Sequence, residues 1–226
     1  MGDTLIIFDC DGVLVDSEPL AARVLAETIR GLGLAMTDAE AAKVFLGCSL
    51  EMVVEIVEAR LGRPAEADFA ESFLGRLHSE MRRDLAAIAG VREAIEKIQL
   101  HDRIGGFCVA SNGEAETVAL SLEAVGLISF FSGQLYTASA AGRGKPHPDL
   151  FLHAAREMKF MPESCIVVED SEHGVNAALA AGMRIFRYAP NAEVVEARDH
   201  RTSVAGAKIF TNMNQLPDLI AAELRN

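Results

Sequence analysis

Leu5-Ile6-Ile7-Phe8 is an unbroken apolar run that stops on Asp9-Cys10-Asp11-Gly12. A short run of branched and aromatic residues, bounded by acids and a glycine, fits a strand buried on both faces of a parallel sheet. Similar runs occupy residues 107–110, 165–168, 183–186 and 208–210. Helical patterns cover residues 115–125, 148–158, 172–181 and 213–224, and Gly126 and Gly182 stand where a glycine ends a helix. This alternation predicts an α/β fold: a Rossmann-like parallel sheet core with helices on both faces. Sheets of that kind bind ligands at the carboxyl ends of their strands.

Residues 17–87 break the rhythm and contain no convincing strand. Leu20, Val24, Leu25, Ile29 and Leu32 share one helical face, and Thr37-Asp38-Ala39-Glu40 reads as a capping box. Leu50, Val53, Val54, Val57 and Leu61 form a second apolar stripe; Phe69, Phe73, Leu77 and Met81 follow at a spacing of four. The expected organisation is a core of residues 1–16 and 88–226 carrying an inserted small α-helical cap domain, residues 17–87.

Length and charge narrow the function. The 226 residues suffice for one large core plus a small insertion. Lys and Arg number 21 against 33 Asp and Glu, a net charge of −12. Such a chain repels phosphate backbones and anionic membranes at long range, so neither nucleic acid nor membrane is an expected partner. No apolar run approaches the roughly 20 residues that span a bilayer. Any phosphate must be held locally, by a metal, backbone N–H groups or a few placed cations. Cys10, Cys48, Cys108 and Cys165 match no paired zinc pattern. Three of them lie in or beside apolar runs, which reads as buried free thiols in a reducing compartment. The start of the chain has no basic leader, so a cytoplasmic protein is expected, as a monomer or weak homo-oligomer.

Four segments carry chemistry. Asp9 and Asp11, two apart at a strand end, point to the same side. Two such acids allow a division of labour between an ionised nucleophile and a protonated acid. Ser111-Asn112-Gly113 closes the run 107–110 with a hydroxyl and backbone N–H groups before a helix, which favours an anion. Lys145, between Gly144 and Pro146, sits in a restrained loop where its ammonium can neutralise a transferring group. Glu169-Asp170 ends another apolar run. Carboxylates gathered in this way repel unless a cation lies between them, and hard oxygen ligands suit Mg²⁺. Taken singly, each has a bland alternative: a solvated strand end, a helix cap or a loop lysine. Their order, acids then hydroxyl then lysine then acids, argues for one site.

In these residues the chain resembles the haloacid dehalogenase superfamily of aspartyl phosphotransferases, in its β-phosphoglucomutase-like and sugar-phosphate phosphatase branch. Asp9-Cys10-Asp11-Gly12-Val13-Leu14-Val15-Asp16-Ser17 matches the first motif, Ser111 the second, Lys145-Pro146 the third and Glu169-Asp170 the fourth. The resemblance covers essentially the whole chain. It implies that Asp9 is the nucleophile and Asp11 the general acid and base. It also implies that Ser111, Asn112 and Gly113 hold phosphate oxygens and that Lys145 balances charge. Mg²⁺ would be held by Asp9, the Asp11 carbonyl and Asp170, with Glu169 bound directly or through water. The implied activity is Mg²⁺-dependent hydrolysis of a small phosphorylated metabolite such as a sugar phosphate, 6-phosphogluconate being one example, through an aspartyl phosphate. Glu18, Gly47 and Ser49 are the expected cap contacts to substrate. Arg76, Arg82 and Arg83 are candidate cations for a sugar acid.

Two other functions share these residues. A phosphomutase of the β-phosphoglucomutase type is one. Against it, Glu18-Pro19-Leu20-Ala21 lacks the histidine expected there, and Leu50 follows Gly47-Cys48-Ser49 where an arginine is expected. A phospho-accepting receiver domain is the other; the helical insertion and the spacing of Asp9 and Asp11 disfavour it.

Overall fold

The five apolar runs are strands of one all-parallel sheet, joined by a sixth, third in chain order, that the sequence pattern does not predict: β1 (Thr4–Phe8), β2 (Ile104–Ser111), β3 (Leu135–Thr137), β4 (Cys165–Glu169), β5 (Arg184–Tyr188) and β6 (Ala207–Phe210). The computed structural model describes residues 2–45, 48, 50–190 and 206–225. The strand order is β3-β2-β1-β4-β5-β6. The chain builds outward in one direction through β2 and β3, then returns to the other side of β1 with β4. The β1–β4 boundary is therefore the point where such sheets open a ligand crevice.

The chain separates into two compact units, Met1–Val15 with Ala87–Asn226, and Asp16–Ala86. The crossing lies one residue earlier at each end than the sequence pattern suggests. Val15 still bridges Ala87 in antiparallel fashion beside the sheet. One residue on, Asp16 N–H donates to Ala86 O at 2.9 Å within the second unit.

In the sheet unit, Leu5, Ile6, Ile7 and Phe8 are fully buried, as a central strand covered on both faces requires. Leu5 and Ile7 join Cys108, Ala110, Cys165, Val167 and Ile185 beneath two helices, α8 (Asp149–Glu157) and α9 (Glu172–Ala180). Phe8 points to the other face, where its ring meets Phe131 edge-on at 6.0 Å. Each such buried apolar side chain contributes about 1.5–3 kcal/mol over its exposed state. Among the described residues, helices α5 (Val91–Ile98), α6 (Ala115–Ala124), the short α7 (Ala138–Ala141) and α10 (Leu216–Glu223) also belong to this unit.

Among its described residues, the second unit carries the helices α1 (Glu18–Gly31), α2 (Asp38–Phe45), α3 (Leu50–Leu61) and α4 (Phe69–Asp84). The α4 stripe Phe69, Phe73, Leu77 and Met81 is buried throughout. The capping box at the start of α2 is formed: Thr37 N–H donates to Glu40 Oε2 at 2.8 Å, and Glu40 N–H to Thr37 Oγ1 at 3.2 Å. Among the described residues, no helix is long and apolar enough to cross a membrane.

Candidate active site

Register brings the chemistry together. Phe8 pairs with Val109 on one side and Val168 on the other, so the residues that follow share one edge of the sheet. Asp9 N–H still donates to Val168 O at 3.0 Å, which fixes the end of β1 against β4. The turn beyond is tight: Leu14 N–H returns to Cys10 O at 2.8 Å and Gly12 N–H to Val15 O at 2.9 Å. Gly12 adopts φ +76°, and a Cβ there would lie 2.2 Å from Asp170 Oδ2. Only a glycine therefore lets the Asp170 carboxylate rest against this turn.

Lys145 Nζ lies 2.7 Å from Asp9 Oδ1 and 2.8 Å from Glu169 Oε1. It also stands 5.1 Å from the centroid of the Phe151 ring, which closes its apolar side. The loop that carries Lys145 is fastened to the end of β2. Lys145 N–H donates to Asn112 Oδ1 at 2.8 Å, and Asn112 Nδ2 donates to Lys145 O at 3.0 Å. Gly144 fits beneath Asn112, since a Cβ would meet Asn112 Oδ1 at 2.4 Å.

Glu169 is fully enclosed. Its Oε1 takes the Lys145 ammonium and its Oε2 accepts from Ser171 N–H at 2.5 Å. The side chain lies on the first turn of α9, where a Cβ on Gly174 would come within 1.9 Å of it. Ser171 caps that helix, its Oγ accepting from Gly174 N–H at 3.0 Å. Asp9, Glu169 and Asp170 each offer a carboxylate oxygen within 4.8 Å of the other two. The cluster is all hard oxygen, with one ammonium beside it, and it can hold a metal ion. Ser111 Oγ is buried and accepts from Gly113 N–H at 3.0 Å. A Cβ on Gly113 would lie 3.3 Å from Ser111 Oγ and 3.9 Å from Asp11 Oδ2, so these three residues adjoin one another.

The electrostatics follow from two carboxylates sharing one ammonium. Burial pushes the Asp9 carboxyl well above its ordinary value; Lys145 opposes the rise, and Glu169 and Asp11 add to it. Burial also resists ionisation of Glu169, but Lys145 and the Ser171 N–H outweigh it and hold that carboxyl below its ordinary value. Lys145 stays charged despite its burial, because Asp9 and Glu169 raise its pKa. A second cation beside Asp9 would relieve its excess of negative neighbours.

The sheet unit thus gathers Asp9, Asp11, Ser111, Asn112, Gly113, Lys145, Glu169 and Asp170. The Asn112 side chain has a further task beside the expected one of its backbone, because it holds the Lys145 backbone. Glu18 is exposed at the start of α1 in the helical unit, and Gly47 and Ser49 lie outside the described residues. The arginines of the helical unit have partners within that unit. Arg76 pairs with Glu27 at 2.8 Å, Arg83 with Glu80 at 2.6 Å, and Arg82 donates to the His78 carbonyl at 3.4 Å. Sequence reasoning missed Gly174 and Phe151, which pack against Glu169 and Lys145 without carrying charge.

The family profile of haloacid dehalogenase-like hydrolases matches residues 6–188, from β1 through β5. The chain belongs to the haloacid dehalogenase-like hydrolase family. It is a phosphoric monoester hydrolase. Among curated relatives, this hydrolase is 29% identical to a 6-phosphogluconate phosphatase of Escherichia coli K12, over 95% of this chain and 93% of the relative. It is 30% identical to hexitol phosphatase B of Escherichia coli O157:H7, over 96% and 95%. Among solved structures, a family hydrolase from Deinococcus radiodurans with bound phosphate and sodium superposes with a TM-score of 0.75 at 29% identity, covering 98% and 96% of the two chains. A haloacid dehalogenase-like protein from Agrobacterium tumefaciens C58 gives 0.74 at 32% identity, covering 99% and 100%.

Proposed function

We propose that this hydrolase removes phosphate from a small phosphorylated sugar, sugar acid or hexitol, using Asp9 as nucleophile and Mg²⁺ as cofactor. The observation that carries the proposal is the buried contact of Lys145 with Asp9 and Glu169, with the Asp170 carboxylate in the same cluster. The substrate class follows the activities of the two bacterial phosphatases above.

The donor set fits the cation. Asp9 and Asp170 would hold it, with the backbone carbonyl of Asp11. Glu169 adds negative charge beside them, its two oxygens being engaged by Lys145 and Ser171. When bound, Mg²⁺ supplies neutralisation of the charge on the phosphoryl oxygens and on Asp9.

The chain's own residues do the rest. An Asp9 carboxylate oxygen attacks phosphorus, and the bond from phosphorus to the ester oxygen breaks. Asp11 gives its proton to that leaving oxygen. Asp11, now ionised, takes a proton from water as the water attacks phosphorus, and the Asp9–phosphorus bond breaks to free inorganic phosphate. The Ser111 hydroxyl, its oxygen already accepting from Gly113 N–H, donates its own hydrogen to a phosphoryl oxygen beside the backbone of Asn112, and Lys145 neutralises charge on Asp9 before attack and on the phosphoryl group after it. Transfer of this kind needs positioning and neutralisation, and little else. Residues 16–86 are proposed as the cap that selects the leaving group, with Glu18, Gly47 and Ser49 among its substrate contacts. The buried thiols of Cys10, Cys108 and Cys165 support a reducing, cytoplasmic setting.

The test is phosphate release from a panel of hexose, hexitol and gluconate phosphates, with phosphoglycolate and nucleotides as outsiders, in Mg²⁺ and in EDTA. Turnover of the sugar class in Mg²⁺ alone is expected. Turnover undiminished by EDTA would refute the cation; turnover of nucleotides alone would refute the substrate class.

A further inference from the structure

The peptide that joins Asp170 to Ser171 is held at both of its polar atoms. Its carbonyl accepts from Arg187 Nε at 3.1 Å, and its N–H donates to Glu169 Oε2 at 2.5 Å. The two grips come from register partners, because Glu169 on β4 pairs with Arg187 on β5. Partners in parallel register leave the sheet on the same side, so the two side chains bracket the turn from adjacent strands. The Asp170 carboxylate meanwhile rests against Gly12, where no Cβ fits.

We propose that Arg187 is a positioning residue for the cation site: by fixing the peptide between residues 170 and 171, it aims the Asp170 carboxylate at Asp9. The inference rests on the reading of Asp170 as a cation ligand. A guanidinium suits the task. It donates a charge-assisted hydrogen bond from a planar, always-charged group. The sequence alone hides this role, since an arginine at the end of a strand ordinarily reads as a solvated side chain.

The test is calorimetric titration of Mg²⁺ into the metal-stripped full chain. Three proteins are compared: wild type, Arg187→Met, which keeps the stem and removes the donor, and Arg187→Lys, which keeps the charge. Arg187→Met is expected to weaken Mg²⁺ binding about tenfold, the usual effect of losing a group that orients a ligand. The Mg²⁺ concentration for half-maximal turnover should rise by the same factor. The kcat at saturating Mg²⁺, the KM for substrate and the melting temperature in EDTA should stay as in wild type. Arg187→Lys should recover part of the loss. Mg²⁺ affinity of Arg187→Met equal to wild type, or a kcat that no Mg²⁺ concentration restores, would overturn the proposal. If Arg187→Met does not fold, Arg187→Lys decides: weaker Mg²⁺ binding upholds the role and unchanged binding overturns it. Wild type that binds no Mg²⁺ would remove the functional reading itself, whereas equal binding by wild type and variants removes only the role of Arg187.

Discussion

Lys145 and Asp9 meet at 2.7 Å with 3% and 12% of their side chains open to solvent. Glu169, wholly enclosed, meets the same ammonium at 2.8 Å. Burying three charges is costly, and each is tolerable only while the others remain.

Removing the shared cation should therefore hurt the fold as well as the chemistry. Lys145→Met is expected to lose about 3–5 kcal/mol of unfolding free energy in EDTA, the usual cost of leaving a buried charge unpaired. Turnover should fall by at least about a hundredfold. Adding Glu169→Gln should restore part of the stability and none of the turnover. Urea unfolding and phosphate release measure the two effects; a Lys145→Met protein as stable as wild type would show that the carboxylates do not need the ammonium.

The raised Asp9 carboxyl sets a pH dependence. A carboxyl whose folded pKa exceeds its unfolded value takes up a proton on folding. Its contribution is therefore greatest below the unfolded value of about 3.9 and declines as pH rises through the folded value. In EDTA, wild type should lose stability relative to Asp9→Asn as pH climbs from about 4 towards neutrality. Denaturant midpoints across that range test the sign, and parallel curves would mean that Asp9 is ionised throughout.

Glycines at the site and away from it should respond oppositely to alanine. Gly174→Ala places a methyl where Glu169 lies, so it should cost about 1–3 kcal/mol and reduce turnover. Gly75, within α4, faces open space: a methyl there would meet nothing within 4 Å. Gly75→Ala should therefore stabilise by about 0.5–1 kcal/mol through helix propensity. Thermal unfolding of both variants measures the contrast; a neutral Gly174→Ala would mean that Glu169 can shift freely.

Thiol labelling should divide the cysteines. Burial pushes Cys165 up to about 12 and lifts Cys10 and Cys108 well above the ordinary thiol value. Cys48 is the partly exposed one of the four. With an aromatic disulfide reagent, the partly exposed Cys48 should react promptly and the three buried thiols only on unfolding. Prompt release of more than one thiol equivalent from the native protein would contradict this arrangement.

Much of this was legible because the strand ends announce themselves: an apolar run stopping on Asp9, Ser111 or Glu169 fixes both the element and the edge on which its chemistry lies. The Thr37 and Glu40 capping box was readable for the same reason, being local. β3 was not readable. Leu135-Tyr136-Thr137 is too short to show a period, and it is a strand because β2 offers Val109, Ala110 and Ser111 for pairing. Also hidden were the contacts made across the sheet: the lock between Asn112 and the Lys145 backbone, the seat of Glu169 on Gly174, and the reach of Arg187 to Asp170. Each joins residues that no local pattern links.

The most direct test of the central claim is identification of the phosphorylated residue. Enzyme mixed with substrate and Mg²⁺ is quenched in acid within a turnover and reduced with borohydride, which converts an aspartyl phosphate to homoserine. Peptide mass spectrometry should locate homoserine at position 9, and Asp9→Asn should show none while retaining less than about a hundredth of wild-type turnover. Homoserine at another position, or an Asp9→Asn enzyme that turns over substrate freely, would contradict nucleophilic catalysis by Asp9.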